Sequence, residues 1–227
     1  MATCDPVRLV VFDCDGTLVD SQHNIFAAMA AAFADHDIAC PPAACVRSVV
    51  GLSLVEAVAA LIPAAGADRH ERVAESYKAH FHRLRQRPDH EEPLYEGALA
   101  CLDRLQAEGF RLGIATGKSR RGLEATLKRH GLEGRFVTLQ TADQAPGKPA
   151  PAMLTRAMAA AGAEAAQTLM VGDTTFDIEM GRNAGVAAVG VGWGYHRPAA
   201  LSAAGAAAVI ERFDALVPLA IMLTGGE

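Results

Sequence analysis

From Leu94 to the end of the chain, short apolar runs alternate with segments of helical spacing, and no other feature constrains the fold as strongly. Apolar runs at Arg111–Ala115, about 136–140, Thr168–Val171, Ala187–Val191 and Ala208–Ile210 have the length of strands. Helices are expected between them, at 96–108, Ser119–His130, a segment ending by Gly162, Thr175–Ala184, and from Phe213 onward. A strand followed by a helix and then another strand calls for a crossover connection. The pattern therefore predicts an α/β fold, a Rossmann-like parallel sheet with helices on both faces.

One more apolar run, Leu9-Val10-Val11-Phe12, leads straight into Asp13-Cys14-Asp15-Gly16-Thr17. Two acids one residue apart at a strand's carboxyl end concentrate negative charge at the sheet edge where open α/β folds bind ligands. After Asp20 the rhythm changes. Helical segments at 24–36, 43–50, Ser53–Leu61 and from Asp68 to about Arg87 are separated by Pro41-Pro42, Gly51, Pro63 and Gly66. Residues 22–88 thus read as an all-helical insertion, and residues 1–21 with 89–227 as the α/β domain.

Other polar groups fall at matching strand ends: Thr116-Gly117-Lys118, Lys148, and Gly172-Asp173. A parallel sheet brings such ends to one side, so groups far apart in sequence can share a crevice. Asp13, Asp15 and Asp173 offer hard oxygen ligands suited to Mg²⁺. Thr116 offers a hydroxyl, Gly117 a backbone that an anion can approach closely, and Lys148 a positive charge on a loop stiffened by Pro149 and Pro151. Asp177 is either a first-turn helical acid or a support behind the metal's ligands. Lys118, Arg120 and Arg121 read as solvated charges at a helix start, and His196 as a surface residue. The Gly190–Gly194 run lacks the following βαβ unit that a dinucleotide loop needs, and reads as a turn near the site.

With a formal net charge of −5 and no basic run, the chain has no nucleic-acid signature. Its apolar runs are too short to span a membrane and its start has no signal-peptide form. Five cysteines without a CxxC pair suit free thiols in a reducing compartment, so a cytoplasmic location is expected.

Phe12-Asp13-Cys14-Asp15-Gly16-Thr17-Leu18-Val19-Asp20-Ser21 resembles the first motif of the haloacid dehalogenase superfamily. Thr116-Gly117, Lys148-Pro149 and Gly172-Asp173-Thr174-Thr175-Phe176-Asp177 resemble its second, third and fourth, and the helical block resembles the cap of the phosphoglycolate phosphatase-like branch. The resemblance implies a phosphatase for a small phosphorylated metabolite, phosphoglycolate first, as a monomer or homodimer. It makes Asp13 the nucleophile and Asp15 the acid and base, and gives Mg²⁺ to the Asp13 carboxylate, the Asp15 backbone carbonyl and Asp173. Gly16, Thr17, Thr116, Gly117 and Lys148 are then the phosphate-binding positions. A sugar phosphomutase or an inorganic pyrophosphatase would use the same chemistry. A phosphoaspartyl signalling receiver also carries acids, a Thr and a Lys on a parallel sheet, but at about half this length and without a cap. Gly117 stands where many of the branch carry Asn. Arg47, Gly51 and Leu52 lie in the cap stretch that either meets the substrate or forms a turn that only packs.

Overall fold

The computed structural model of the chain describes residues 6–225. Six strands, β1 (Leu9–Phe12), β2 (Arg111–Thr116), β3 (Thr138–Thr141), β4 (Thr168–Gly172), β5 (Ala187–Val191) and β6 (Ala208–Ile210), form one parallel sheet in the order β3-β2-β1-β4-β5-β6. β1 lies at the centre, with Phe12 paired to Ile114 on one side and to Val171 on the other. Here the strand order reverses, so the chain leaving β1 opens onto the crevice where such folds bind ligands.

A central parallel strand is covered on both faces, and the period of two along β1 divides its side chains between two apolar layers. Val10 and Phe12 pack with Leu112, Ile114 and Val171 beneath helices α5 (Ala98–Ala107), α6 (Arg120–Arg129) and α10 (Leu216–Thr224). Leu9 and Val11 face the opposite layer, with Met170 and the helices α7 (Ala152–Ala161), α8 (Thr175–Asn183) and α9 (Pro198–Ala204). The β1 residues are fully buried. At roughly 1.5–3 kcal/mol for each large apolar side chain, they anchor the loop that follows.

The segments expected to be helical before Pro88 form α1 (Gln22–Ala34), α2 (Ala43–Ser48), α3 (Leu54–Leu61) and α4 (Ala67–Arg85). They share a core built on Met29, Phe33, Val58, Val73 and Phe81. The chain leaves the sheet and returns to it side by side: Val19 bridges Leu94, and the Asp20 N–H donates to the Pro93 carbonyl at 2.9 Å. Ser53 caps α3 as expected, with the Glu56 carboxylate accepting from its N–H and hydroxyl. Asp68 does not cap α4; the helix starts at Ala67 after Gly66, placing Asp68 in the first turn. Helix α9 was not expected: its run of alanines lacks an apolar period, and Pro198 at its start with Gly205 after its end are its local signals. No helix among the described residues is long and apolar enough to cross a membrane.

Candidate active site

Asp13 follows β1 directly, and its N–H extends the parallel pairing by donating to the Val171 carbonyl at 2.9 Å. Gly16 then turns the chain at φ +88°, a conformation few other residues adopt, and a β-carbon there would lie 2.3 Å from Asp173 Oδ2. The chain must pass this close because the Thr17 hydroxyl donates to Asp173 Oδ1 at 2.9 Å. The Tyr195 N–H donates to Asp173 Oδ2 at 2.8 Å from the turn after β5. Gly194 is needed in that turn for the same reason, since its β-carbon would strike the Asp173 side chain. The glycine run after β5 thus holds a site carboxylate.

Lys148 is buried between two acids, with Nζ 2.7 Å from Asp13 Oδ1 and 2.6 Å from Asp177 Oδ1. The other Asp177 oxygen accepts from the N–H and hydroxyl of Thr174 at the start of α8, at 3.0 and 2.7 Å. Oxygens of Asp13, Asp173 and Asp177 lie within 4.8 Å of one another, all buried. Asp177, which the sequence left between two roles, thus stands beside Asp13 and Asp173.

Burial is the main cause that raises the Asp13 carboxyl; Lys148 opposes it and Asp177 adds to it, leaving it at about 6. Asp173 is raised well above the ordinary range, first by burial and then by Asp13 and Asp177. Burial alone would lower Lys148, but the two acids beside it outweigh burial and raise it. One ammonium against three buried carboxylates leaves negative charge uncompensated, and among the described residues Asp13 Oδ1 and Asp177 Oδ1 share the Lys148 ammonium as their one cation. A hard divalent cation fits this set of oxygens.

Asp15 turns its side chain to the other side of Asp13. Its Oδ1 accepts from the Ser21 hydroxyl at 2.6 Å and lies 2.5 Å from Lys118 Nζ. Burial pushes Asp15 up, but Lys118, with the bonds from Lys118 and Ser21, outweighs burial and holds the carboxyl below its ordinary range. Lys118 is therefore no solvated helix-start charge: its side chain is 7% exposed and also lies 3.9 Å from buried Glu92. Thr17, expected at the phosphate, is fully buried and directs its hydroxyl inward to Asp173. The Thr116 hydroxyl accepts from the Lys118 N–H. His196 is half-buried rather than on the surface; its Nδ1 accepts from the Thr175 N–H at 3.1 Å.

Of these groups, Asp13, Asp15, Thr116 and Lys118 line a cavity of about 430 Å³ between the sheet edge and the helical layer. Asp13, Asp15, Thr116 and Gly117 are on one side, and the loop through Gly51 and Leu52 is on the other. The loop lies against Gly117: a β-carbon there would be 2.6 Å from the Leu52 carbonyl oxygen. That contact leaves no room for the Asn common at this position in the branch. Arg47, expected beside Gly51 and Leu52, instead lines a smaller pocket behind the loop, 3.4 Å from Gln22 Oε1.

Carboxylates and a buried lysine at the switch point of a Rossmann-type sheet, roofed by helices, define a class of α/β hydrolases that work on anionic esters. The family model for haloacid dehalogenase-like hydrolases matches residues 10–191. A probable phosphatase, IndB, of Dickeya dadantii is 36% identical over 211 residues, covering 92% of this chain and 91% of that protein. A phosphoglycolate phosphatase of Rhodospirillum rubrum is 35% identical over 217 residues, covering 92% and 89%. A solved structure of a hydrolase from Pseudomonas syringae superposes with a TM-score of 0.81 at 26% identity, over 95% of this chain and 96% of that one. The chain belongs to the haloacid dehalogenase-like hydrolases, and within them it is a phosphatase.

Sequence reasoning missed three residues around the site. Lys118 carries a usable signal, because it follows Thr116-Gly117 at a strand end. Glu92 sits in a segment whose composition reads as a solvated acidic linker, yet it is buried, 3.1 Å from His90 Nε2. Tyr195, whose hydroxyl is 3.2 Å from Ser21 Oγ, follows the glycine run that places it.

Proposed function

We propose that the enzyme is a Mg²⁺-dependent phosphatase that hydrolyses a small phosphorylated metabolite through a phosphoryl group carried on Asp13. The observation that carries this reading is the position of the Asp13 carboxylate, at the end of the central strand, against Lys148 and on the wall of the cavity. In the first step an Asp13 oxygen bonds to phosphorus as the bond to the leaving alcohol oxygen breaks, and Asp15 donates a proton to that oxygen. In the second step Asp15 takes a proton from water, whose oxygen bonds to phosphorus as the acyl-phosphate bond breaks. Asp13 is freed and inorganic phosphate leaves.

Lys118 holds Asp15 as the carboxylate, the form the second step requires. The incoming phosphate brings negative charge beside it, and like-charge repulsion raises its affinity for the proton that the first step uses. Thr116, the Gly117 N–H and Lys148 bind the phosphoryl oxygens. Asp13, Asp173 and the Asp15 backbone carbonyl would hold Mg²⁺, with Asp177 beside them. When bound, the ion neutralises the carboxylates and draws charge from the phosphoryl oxygens.

We assign residues 22–88 as a cap that closes over the site and excludes water, and residues 1–21 with 89–227 as the catalytic domain. A cytoplasmic location and a monomeric or dimeric state complete the proposal. Phosphoglycolate, named for the Rhodospirillum rubrum relative, and pyrophosphate are the first substrates to test. A sugar phosphomutase on the same chemistry is the alternative reading: the loop Val49–Val55 carries no charged side chain, but Lys78, Arg85, Lys118 and Arg121 also line the cavity.

The test is phosphate release from a panel of esters with Mg²⁺, by the wild type and by Asp13→Asn. Release should stop in excess EDTA and fall to background in the variant. Release that persists in EDTA would remove the metal from the mechanism, and an active variant would remove Asp13.

A further inference from the structure

The side of the cavity formed by the helical layer is where the alcohol part of a substrate would lie. Its wall is apolar and comes from three elements of the helical layer: Ile25 and Met29 from α1, Val50 and Leu54 from the loop and the start of α3, and Tyr77 and Phe81 from α4. Phe81 is held edge-tilted against Tyr77, with ring centroids 5.6 Å apart, and the Arg85 guanidinium lies 4.6 Å from its centroid. Burial raises the Tyr77 phenol, so it stays neutral. At about 430 Å³, the cavity is within the ~300–1,000 Å³ range of sites that enclose whole small molecules.

The cations of this cavity are already engaged. Lys118 pairs with Asp15 at 2.5 Å, and Arg85 faces buried Glu92 at 3.7 Å. Lys78, His82 and Arg121 are exposed, Lys78 is paired with Glu75, and Arg121 bonds the His82 ring. Exposed cations can draw a phosphate ester toward the cavity, but each adds little to a second ion pair. A carboxylate on the leaving group would lie mainly among hydrocarbon side chains, and the half-buried cation beside them, Arg85, already faces the Glu92 carboxylate and the Phe81 ring. That arrangement is costly.

We propose that this cavity selects phosphate monoesters of uncharged, ring-bearing alcohols over esters of short anionic acids such as phosphoglycolate. The inference rests on the phosphatase reading above and narrows its substrate. The ring packs on Tyr77 and the aliphatic wall, the Tyr77 hydroxyl meets a neutral polar group on it, and Asp15 protonates the oxygen that leaves. An alcohol as short as glycolate covers little of this wall and adds a charge.

The experiment compares kcat/KM of the Mg²⁺-loaded wild type for phenyl phosphate, a nucleoside 5′-monophosphate, a hexose 6-phosphate, phosphoglycolate and acetyl phosphate. At least one uncharged ring ester should exceed phosphoglycolate by about tenfold or more, the equivalent of one ~1.4 kcal/mol interaction. The ring ester that leads separates an aromatic, a nucleoside and a sugar alcohol. Phosphoglycolate equal to or ahead of all three, with acetyl phosphate turned over, would overturn this inference and leave the phosphatase reading intact. Turnover of none would overturn both. Val55→Lys adds a cation to the wall at a position 41% exposed, where folding tolerates it. It should raise the ratio of phosphoglycolate to phenyl phosphate turnover, and an unchanged ratio would show that the wall does not select.

Discussion

Gly117→Ala tests whether the loop through Gly51 and Leu52 rests on the sheet edge in the working enzyme. Gly117 is not in the left-handed region, so alanine adds no backbone strain of its own. Its β-carbon, however, would lie 2.6 Å from the Leu52 carbonyl oxygen and 3.0 Å from that of Gly51. Both are backbone atoms, and no rotamer change relieves them. The loop has to withdraw until the shorter contact approaches the 3.4 Å at which ordinary van der Waals packing begins. Overpacking of this kind costs about 1–3 kcal/mol. The chain crosses between the helical layer and the sheet at two adjacent segments, near Val19 and Leu94, so the layer can shift as a unit and the expected cost falls on the closed arrangement. The expected result is a loss of about 5- to 150-fold in kcat/KM, carried mainly by KM, with Tm within about 2 °C of wild type. Gly117→Asn should lose more, although Asn is common here in the branch. Wild-type kinetics with a lowered Tm would mean that the contact belongs to folding alone. Wild-type values for both would mean that the loop does not close on Gly117.

Lys118→Met removes the counter-charge of Asp15 and should destabilise the fold by about 3 kcal/mol, read from urea midpoints, because Asp15 and Glu92 remain buried. Adding Asp15→Asn to that variant should recover part of the loss, and additive effects would argue against the pair. Asp15→Asn alone should leave a phosphoenzyme that decays slowly enough to trap, so normal steady-state turnover would rule out its acid and base roles. The folded Asp13 carboxyl ionises at about 6 against an ordinary 3.8, so the unfolded chain releases its proton first. The metal-free fold therefore loses stability as pH rises through that window, and Mg²⁺ should raise Tm more at neutral than at mildly acid pH. In Asp13→Asn the fall across the window should shrink, and an unchanged slope would assign it to other groups. Asp177→Asn, which breaks the ion pair with Lys148, should raise the Mg²⁺ concentration for half-maximal activity by about 10- to 100-fold, and an unchanged titration would separate Asp177 from the metal site.

Much of the frame was legible in residue order. Five of the six strands could be located within a few residues because their apolar runs end at Gly, Asp or Thr, and β6 because its run ends at Glu211. The four motif positions could be expected on one edge because parallel strands end on the same side. Helix α9 escaped because a stretch as uniform as Pro198–Ala204 has no period to detect. Lys118 was misjudged for another reason. It sits in a charged run with Arg120 and Arg121 at a helix start, and only the fold shows that its side chain bends under the helical layer to Asp15 rather than outward.

The sequence alone determined the parallel sheet, the helical insertion and the edge at which the acids gather, because these depend on local period and on the handed geometry of strand–helix–strand connections. Tertiary structure decided how the acids divide. Asp13 and Asp15, neighbours in sequence, part at the turn made by Gly16. Asp13 joins Asp173 and Asp177 around Lys148, and Asp15 joins Lys118 and Ser21. Side-chain direction after a strand depends on what packs against the loop, and those partners come from the ends of β2 and β4, the loop between β3 and α7, α8, the residue before α1 and the turn after β5. No local pattern around Asp13 contains that information.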